Sequence, residues 1–369
     1  MQGGSPGHRH RGASPVRRSR RARRVVVALV VCAAGIGLAG LPAGGTGQPA
    51  TPMAPAAPAE MPGGTVSDVV ASAVLDAASA LAGMVSSDGT LPAVLGEIAA
   101  PRDEEGLYLA PGPGLVTSEH GGAPSPGTAE GAGTESLAPE EEAFALASVV
   151  AGASVIGVDD RAAVVDTTSS PFRAIAHVSS DSTQCTGWLV GADLVLTAGH
   201  CVYDYTGFVR SLVITPARNG DMAPFGRCGA VRAYTTRTFV EGGDLASDWG
   251  IIELDCRVGD RTGWFGLRVA DDAVVGRTVV VSGYPMDRPK GTQWWATEYV
   301  RAAYAGQLAY GGDTYAGQSG SPVHLVDGSC TPCGVAVHAY GVGATPDGYN
   351  SGTRVTAAVV AVVAALRAR

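Results

Sequence analysis

Acidic residues are absent from the first 24 positions, which carry eight arginines. Basic residues are nearly absent from the next 129, where one arginine stands against 14 aspartates and glutamates. Beyond residue 153 the signs almost balance, 17 basic against 20 acidic. The net charge of −8 therefore hides three unlike regions, and the near balance of the last gives no sign of a nucleic-acid partner. No internal repeat is detectable, and no His, Cys and Asp spacing matches a zinc site. Large apolar residues are scarce between positions 42 and 139, so that stretch has little from which to build a strong core of its own.

What is present first is an export signal. Arg17, Arg18, Arg20, Arg21, Arg23 and Arg24 precede an apolar run of 17 residues, Val25 to Leu41, and small Ala43-Gly44-Gly45 follows. This is the layout of a cleaved secretory signal, expected over residues 1–45. The run is short for a membrane span and is glycine-rich, which disfavours an anchor. Ser19-Arg20-Arg21 is compatible with twin-arginine export as well as the general route. Of seven cysteines, Cys32 lies in the discarded run. The other six, Cys185, Cys201, Cys228, Cys256, Cys330 and Cys333, read as three disulfides of an exported domain, with 15 possible pairings.

Residues 46–153 read as a propeptide. Residues 42–64 are Pro/Ala/Gly-rich linker, 65–100 have helical spacing at Val66, Val69, Val70, Ala73 and Leu75, and 101–139 are again Pro/Gly-rich and acidic. From Ser154 the texture changes. Strand-like runs appear at 173–178, 187–190, 194–197, 212–215, 250–254, 278–282 and 334–338, bounded by Gly, Asp, Asn or Pro. Thr356–Leu366 reads as a helix. The expected fold is all-β, and a region of about 215 residues suits two barrels.

A serine hydroxyl needs a base to take its proton, an imidazole suits that task near pH 7, and a carboxylate must fix the imidazole tautomer. His200 follows the strand-like Leu194–Thr197, with Cys201 beside it. A Cys185–Cys201 bridge would hold that turn and add roughly 3 kcal/mol. Asp248 heads the apolar run Trp249-Gly250-Ile251-Ile252, ahead of its competitors Asp244 and Asp255. Ser319 sits in Gly317-Gln318-Ser319-Gly320, where the glycines open torsions closed to other residues. The N–H groups of Gly317 and Ser319 would form the oxyanion hole, each donor contributing about 3 kcal/mol. Ser321 is the rival nucleophile, but Pro322 follows it and starts the next strand. His8, His10 and His120 lie in segments expected to be removed, and His177 reads as a strand histidine.

Thr197-Ala198-Gly199-His200-Cys201, Asp248-Trp249-Gly250-Ile251-Ile252 and Gly317-Gln318-Ser319-Gly320-Ser321-Pro322 resemble the chymotrypsin-like serine proteases. Residues 154–366 resemble secreted bacterial glutamyl endopeptidases in particular. Ser154-Val155-Ile156-Gly157 looks like the mature start of that group, and Cys185-Thr186-Gly187-Trp188, Ser282-Gly283-Tyr284-Pro285, Gly291-Thr292-Gln293-Trp294 and Val337-His338 match its pattern. The first 153 residues share only the prepro layout. The resemblance implies two six-stranded antiparallel β-barrels with a C-terminal helix over 154–369. It also implies a zymogen that becomes a secreted serine endopeptidase working through an acyl-enzyme, with protein or peptide substrates and its own propeptide as partners. No cofactor, membrane or nucleic-acid partner is expected, the protein is expected to be a monomer, and no spacing indicates structural calcium.

The resemblance places His338 and Thr314 in a pocket for the substrate Glu carboxylate, with Asp accepted less well. Asp313 argues the other way. It lies six residues before Ser319, where trypsin-like enzymes keep the acid that attracts Lys or Arg. Unless Asp313 turns away or is neutralised, trypsin-like or broad specificity is the alternative. A catalytically inactive secreted binding module is the rival from another class, and the intact His, Asp and Ser argue against it. Digestive relatives activate through an ion pair from the new N-terminus to an Asp just before the serine, but that position is Gln318 here. The new amine would instead sit near the substrate site, or the pro-region would aid folding. Cys330-Thr331-Pro332-Cys333 lacks the βαβ context of a redox pair, so it reads as a short structural disulfide and leaves Cys228 with Cys256.

Overall fold

Short apolar runs such as Ile175–Ser179 and Leu194–Thr197 bury nearly all of their side chains, which suits them to closed barrels. The computed structural model describes residues 71–91, 98–103, 105–115, 154–204 and 206–369. The expected signal and linker, including Val25–Leu41, Cys32, His8, His10 and His120, lie outside the described residues. No helix among the described residues is long and apolar enough to cross a membrane.

The described residues begin with β1 (Ala71–Leu75), α1 (Ala77–Ala82), β2 (Met84–Ser86), β3 (Ile98–Asp103) and β4 (Gly106–Leu109). A short strand, β5 (Ala162–Ala163), follows. Next come β6 (Ile175–Ser179), β7 (Gln184–Leu189), β8 (Leu194–Thr197) and a small hairpin, β9 (Tyr203–Asp204) with β10 (Gly207–Phe208). They lead to β11 (Val213–Pro216), β12 (Cys228–Thr236), α2 (Arg237–Gly242) and β13 (Gly250–Leu254). The antiparallel order β11-β6-β7-β8-β13-β12, closed by β11 on β12, is the first six-stranded barrel. Its strands bury Trp188, Leu194, Leu196, Ile214, Tyr234 and Ile251, all with no exposed surface.

After α3 (Gly259–Thr262) and β14 (Gly266–Arg268) come β15 (Thr278–Gly283), β16 (Trp294–Ala303), β17 (Gln307–Tyr310), β18 (Pro322–Leu325), β19 (Cys333–Tyr340) and β20 (Asn350–Arg354). The order β19-β18-β15-β16-β17-β20, closed by β20 on β19, is the second six-stranded barrel. The chain ends in α4 (Ala357–Arg367), starting after Thr356 as the sequence predicts. Val359, Val360, Val362, Val363 and Leu366 are buried there, and each contributes roughly 1.5–3 kcal/mol. Three disulfides join Cys185 to Cys201, Cys228 to Cys256 and Cys330 to Cys333.

Val66, Val69 and Val70 lie outside the described residues; among those described in 65–100, the helical expectation holds only over Ala77–Ala82, capped by the Asp76 side chain and stopped at Gly83. Its neighbours pair as strands: β1 lies antiparallel to β3, and β2 adds to the edge of β12 with Tyr234 opposite Ser86. At the start of the Pro/Gly-rich stretch, β3 and β4 form a hairpin and β4 pairs with β14. Pairing with a ready sheet edge outweighs local propensity here. The stretch borrows its core: Leu81, Met84, Leu107 and Leu115 are buried among the barrels' apolar residues. The described residues all fall in one compact unit.

Candidate active site

The loop after β8 turns sharply, as a short 3₁₀ turn over Gly199–Cys201, and presents His200. Gly199 is required at that bend. A Cβ there would lie 2.8 Å from both Asp248 Oδ1 and Thr235 Oγ1. The bridge to Cys185 on β7 pins the next residue. Asp248 precedes β13, and its side chain has no exposed surface, whereas that of His200 is 35% exposed. Asp248 Oδ1 accepts the backbone N–H of His200 at 2.8 Å, and Oδ2 lies 2.7 Å from His200 Nδ1. The carboxylate thus fixes both the ring and the backbone that carries it.

The electrostatics follow from that contact. Burial opposes the imidazolium, but the Asp248 charge and hydrogen bond outweigh it, so the His200 pKa is raised above 6.5. For Asp248, burial favours the neutral acid, and the His200 charge with three hydrogen bonds reverses this, so its pKa is lowered. The two competitors have other tasks. Asp244 caps the turn Leu245–Ser247 through the N–H of Ala246, and Asp255 accepts the N–H of Gly229 at 2.9 Å.

Ser319 comes from the second barrel, in the turn before β18. Gly317 and Gly320 take φ of +93° and +88°, a region that favours glycine. Ser319 is half-buried and lines a cavity of about 740 Å³ with His200, His338, Tyr315, Tyr340 and Ser154. Among the described residues the N–H groups of Gly317 and Ser319 donate to no protein group, while the Ser319 carbonyl accepts the N–H of Thr186 at 2.8 Å. Ser321 is fully buried, which removes it from the cavity. His177 is also buried, with burial and Arg218 lowering its pKa to about 4.

His338, on β19, is 3% exposed, and its Nδ1 lies 2.7 Å from the Tyr310 hydroxyl. Burial, aided by the nearby His200 charge, pulls its pKa down to about 3, so the ring is neutral. Burial also raises the pKa of Tyr310, so its hydroxyl keeps its proton; in the ring tautomer that leaves Nδ1 bare, it donates to Nδ1. The other ring nitrogen is then an N–H donor. Thr314 is fully buried beside the cavity rather than among its lining residues. Its N–H donates to the Ser154 carbonyl at 3.2 Å, and its hydroxyl has no protein partner.

Asp313 turns away from the cavity. Its carboxylate accepts the N–H of Ile156 at 2.6 Å and of Asp160 at 3.0 Å, and the residue is 2% exposed. The acid tethers the segment that carries Ser154 to the cavity wall. Asn350 holds the same segment from β20, donating to the Ser154 carbonyl at 2.6 Å. Arg161, 4% exposed, locks its far end between Asp159 and Asp287. Gln318 is buried and uses its side-chain oxygen to accept the N–H of Tyr315 at 3.0 Å. Tyr310, Tyr340 and Asn350 are not discernible as site residues in the sequence, because nothing local marks an aromatic hydroxyl or an amide whose partner is far along the chain.

Two six-stranded barrels that bring an imidazole, a buried carboxylate and a glycine-flanked serine to one cavity define the chymotrypsin-like class of serine hydrolases. The chain belongs to the trypsin family: the model described as Trypsin matches residues 162–362, more than half of the chain. It is 42% identical over 209 residues to a glutamyl endopeptidase of Bacillus licheniformis, covering 55% of this chain and 66% of that protein. It is 37% identical over 211 residues to a Bacillus subtilis protein named extracellular metalloprotease, again covering 55% and 66%. The matched stretch thus spans just under two thirds of each relative. A solved Glu endopeptidase in complex with MPD shares the fold with TM-score 0.54 and 28% identity, over 58% of this chain and 100% of that one. Among the described residues the metal-like clusters here are Cys185–His200–Cys201 and Cys228–Asp255–Cys256. Their cysteines are all in disulfides and so offer no thiolate.

Proposed function

We propose that the chain is a secreted serine endopeptidase that cuts after Glu, and after Asp less well. His200 takes the proton of Ser319 as the hydroxyl attacks the substrate carbonyl, a contact that closes when substrate enters. Asp248 steadies the imidazolium, and the N–H groups of Gly317 and Ser319 receive the oxyanion. The proton then passes to the leaving amine, and water hydrolyses the acyl-enzyme by the same route in reverse.

The observation that carries the specificity is the neutral, buried His338, whose Nδ1 is occupied by Tyr310 and whose other nitrogen is free to donate. Thr314, the other pocket residue that the resemblance implies, keeps an unpartnered hydroxyl but does not line the cavity. Removal of residues 1–45 on export and 46–153 on activation would place the amine of Ser154 at the same wall, adding a positive charge for the Glu carboxylate. Asp313, tied to two backbone N–H groups, does not oppose that anion from within the cavity. The two relatives named for glutamyl activity support the same reading.

The test uses the processed enzyme on matched peptides with Glu, Asp, Arg or Phe before a reporter amide. Glu is expected to be preferred, and His338→Ala to lower kcat/KM for Glu about tenfold to a hundredfold, as for loss of a hydrogen bond to a charged group. Ser319→Ala should abolish turnover and leave folding intact. Preference for Arg, or turnover by Ser319→Ala, would overturn the assignment.

A further inference from the structure

The buried carboxylate of Asp248 has a third donor. The hydroxyl of Tyr340 lies 2.5 Å from Oδ2, the same oxygen that faces His200 Nδ1. Tyr340 ends β19, two residues beyond His338, and the strand shifts register between these two residues: His338 pairs with Gly352, and Tyr340 with Ser351. Such a bulge re-aims the side chains that follow it. The ring lines the cavity and stands 6.1 Å from the His200 ring at 38°. One side chain therefore touches both the substrate space and the acid behind the base.

We propose that Tyr340 is a positioning residue of the catalytic machinery: its hydroxyl holds the Asp248 carboxylate against the His200 ring. A fully buried carboxylate is costly unless its lone pairs are filled, and the His200 ring and backbone fill only part of that capacity. Tyr340 supplies a further donor and limits the directions in which Oδ2 can move. It also shares the carboxylate charge, so Asp248 draws less strongly on the imidazolium. The groups facing Asp248 in this arrangement are His200 and Tyr340, while Thr353 bonds its backbone carbonyl at 2.9 Å.

The inference rests on the proposed roles of His200, Asp248 and Ser319, so its test includes a readout that does not depend on turnover. Tyr340→Phe keeps the ring and removes the hydroxyl. In the processed enzyme it should lower kcat on a Glu peptide about tenfold, the usual consequence of losing one hydrogen bond to a charged group, with KM changed less than about twofold. The acid limb of the pH profile should move to higher pH, because a carboxylate one donor short stabilises the imidazolium more. The proton on His200 Nδ1, observed by NMR in the Ser319→Ala background, should shift on the same substitution. Tyr340→Ala should add a rise in KM, as the ring leaves the cavity wall. An unchanged kcat and proton resonance in Tyr340→Phe, or a rise in KM alone, would overturn the proposal.

Discussion

His200 and His338 line the same cavity, yet their environments push them in opposite directions. His200 has a carboxylate at 2.7 Å and is raised above 6.5, while His338 has only a neutral hydroxyl and falls to about 3. The sign of the pH dependence follows. A general base must be neutral, so activity is present above the raised His200 value and is lost as pH falls through it. His338 stays neutral throughout that range and adds no limb. The expected profile of kcat/KM has one acid limb centred above 6.5, with the same midpoint in a His338→Gln variant. A second limb that disappears in His338→Gln would show that His338 titrates, contrary to its burial. His200, Asp248 and Ser319 are readable in the sequence because each sits in a distinctive local run. Tyr310 and Asn350 are not, since their partners lie 28 and 196 positions away.

At the scale of elements, the segment from Ser154 to Arg161 is held by side chains rather than by a sheet. Asp313 supplies two of its anchors, and hydrogen bonds to a carboxylate contribute about 1.5–3 kcal/mol each. Asp313→Ala should release the segment and lower kcat/KM for Glu peptides about tenfold or more, chiefly through KM, without a loss specific to Arg peptides. The trypsin-like alternative requires the opposite, a selective loss of Arg cleavage with Glu cleavage spared or improved. Peptide kinetics on the two substrate types separates them. Asp313 was ambiguous in the sequence because its position says where it lies along the chain, not which way it faces. The strands of both barrels were more legible. Leu194–Thr197 and Gly250–Leu254 fall where the apolar runs predict, since continuous burial selects β-branched and large aliphatic residues. Among the described residues of 65–100 the helical reading failed outside Ala77–Ala82, because the pairing of β1 with β3 and of β2 with β12 is a property of the assembled sheets.

At the scale of the whole molecule, residues 71–115 join both barrels, with β2 on β12 of the first and β4 on β14 of the second. Helix α1 packs on α4, and the N–H of Gly112 donates to the Trp264 carbonyl at 2.7 Å. None of these residues lines the cavity that holds Ser319. The strongest charged tie is Arg268, 3% exposed, whose guanidinium donates to both oxygens of Asp103 at 2.7 and 2.8 Å. Truncating Asp103 would leave that cation buried with Glu105 at 3.3 Å and the Ser329 hydroxyl at 2.9 Å to answer it. Breaking a buried pair by removing one partner costs about 3–5 kcal/mol, and Glu105 reduces this, so Asp103→Ala should destabilise the unprocessed chain by about 2–3 kcal/mol. If the segment is a propeptide that assists folding and then leaves, the same substitution should slow refolding of the full chain and leave the kcat/KM of the processed enzyme unchanged. Denaturant unfolding and refolding rates measured before processing, together with peptide kinetics after it, test both halves. Equal stability and refolding rates for the parent and Asp103→Ala would remove the segment from the folding of the two barrels and leave it a passive spacer.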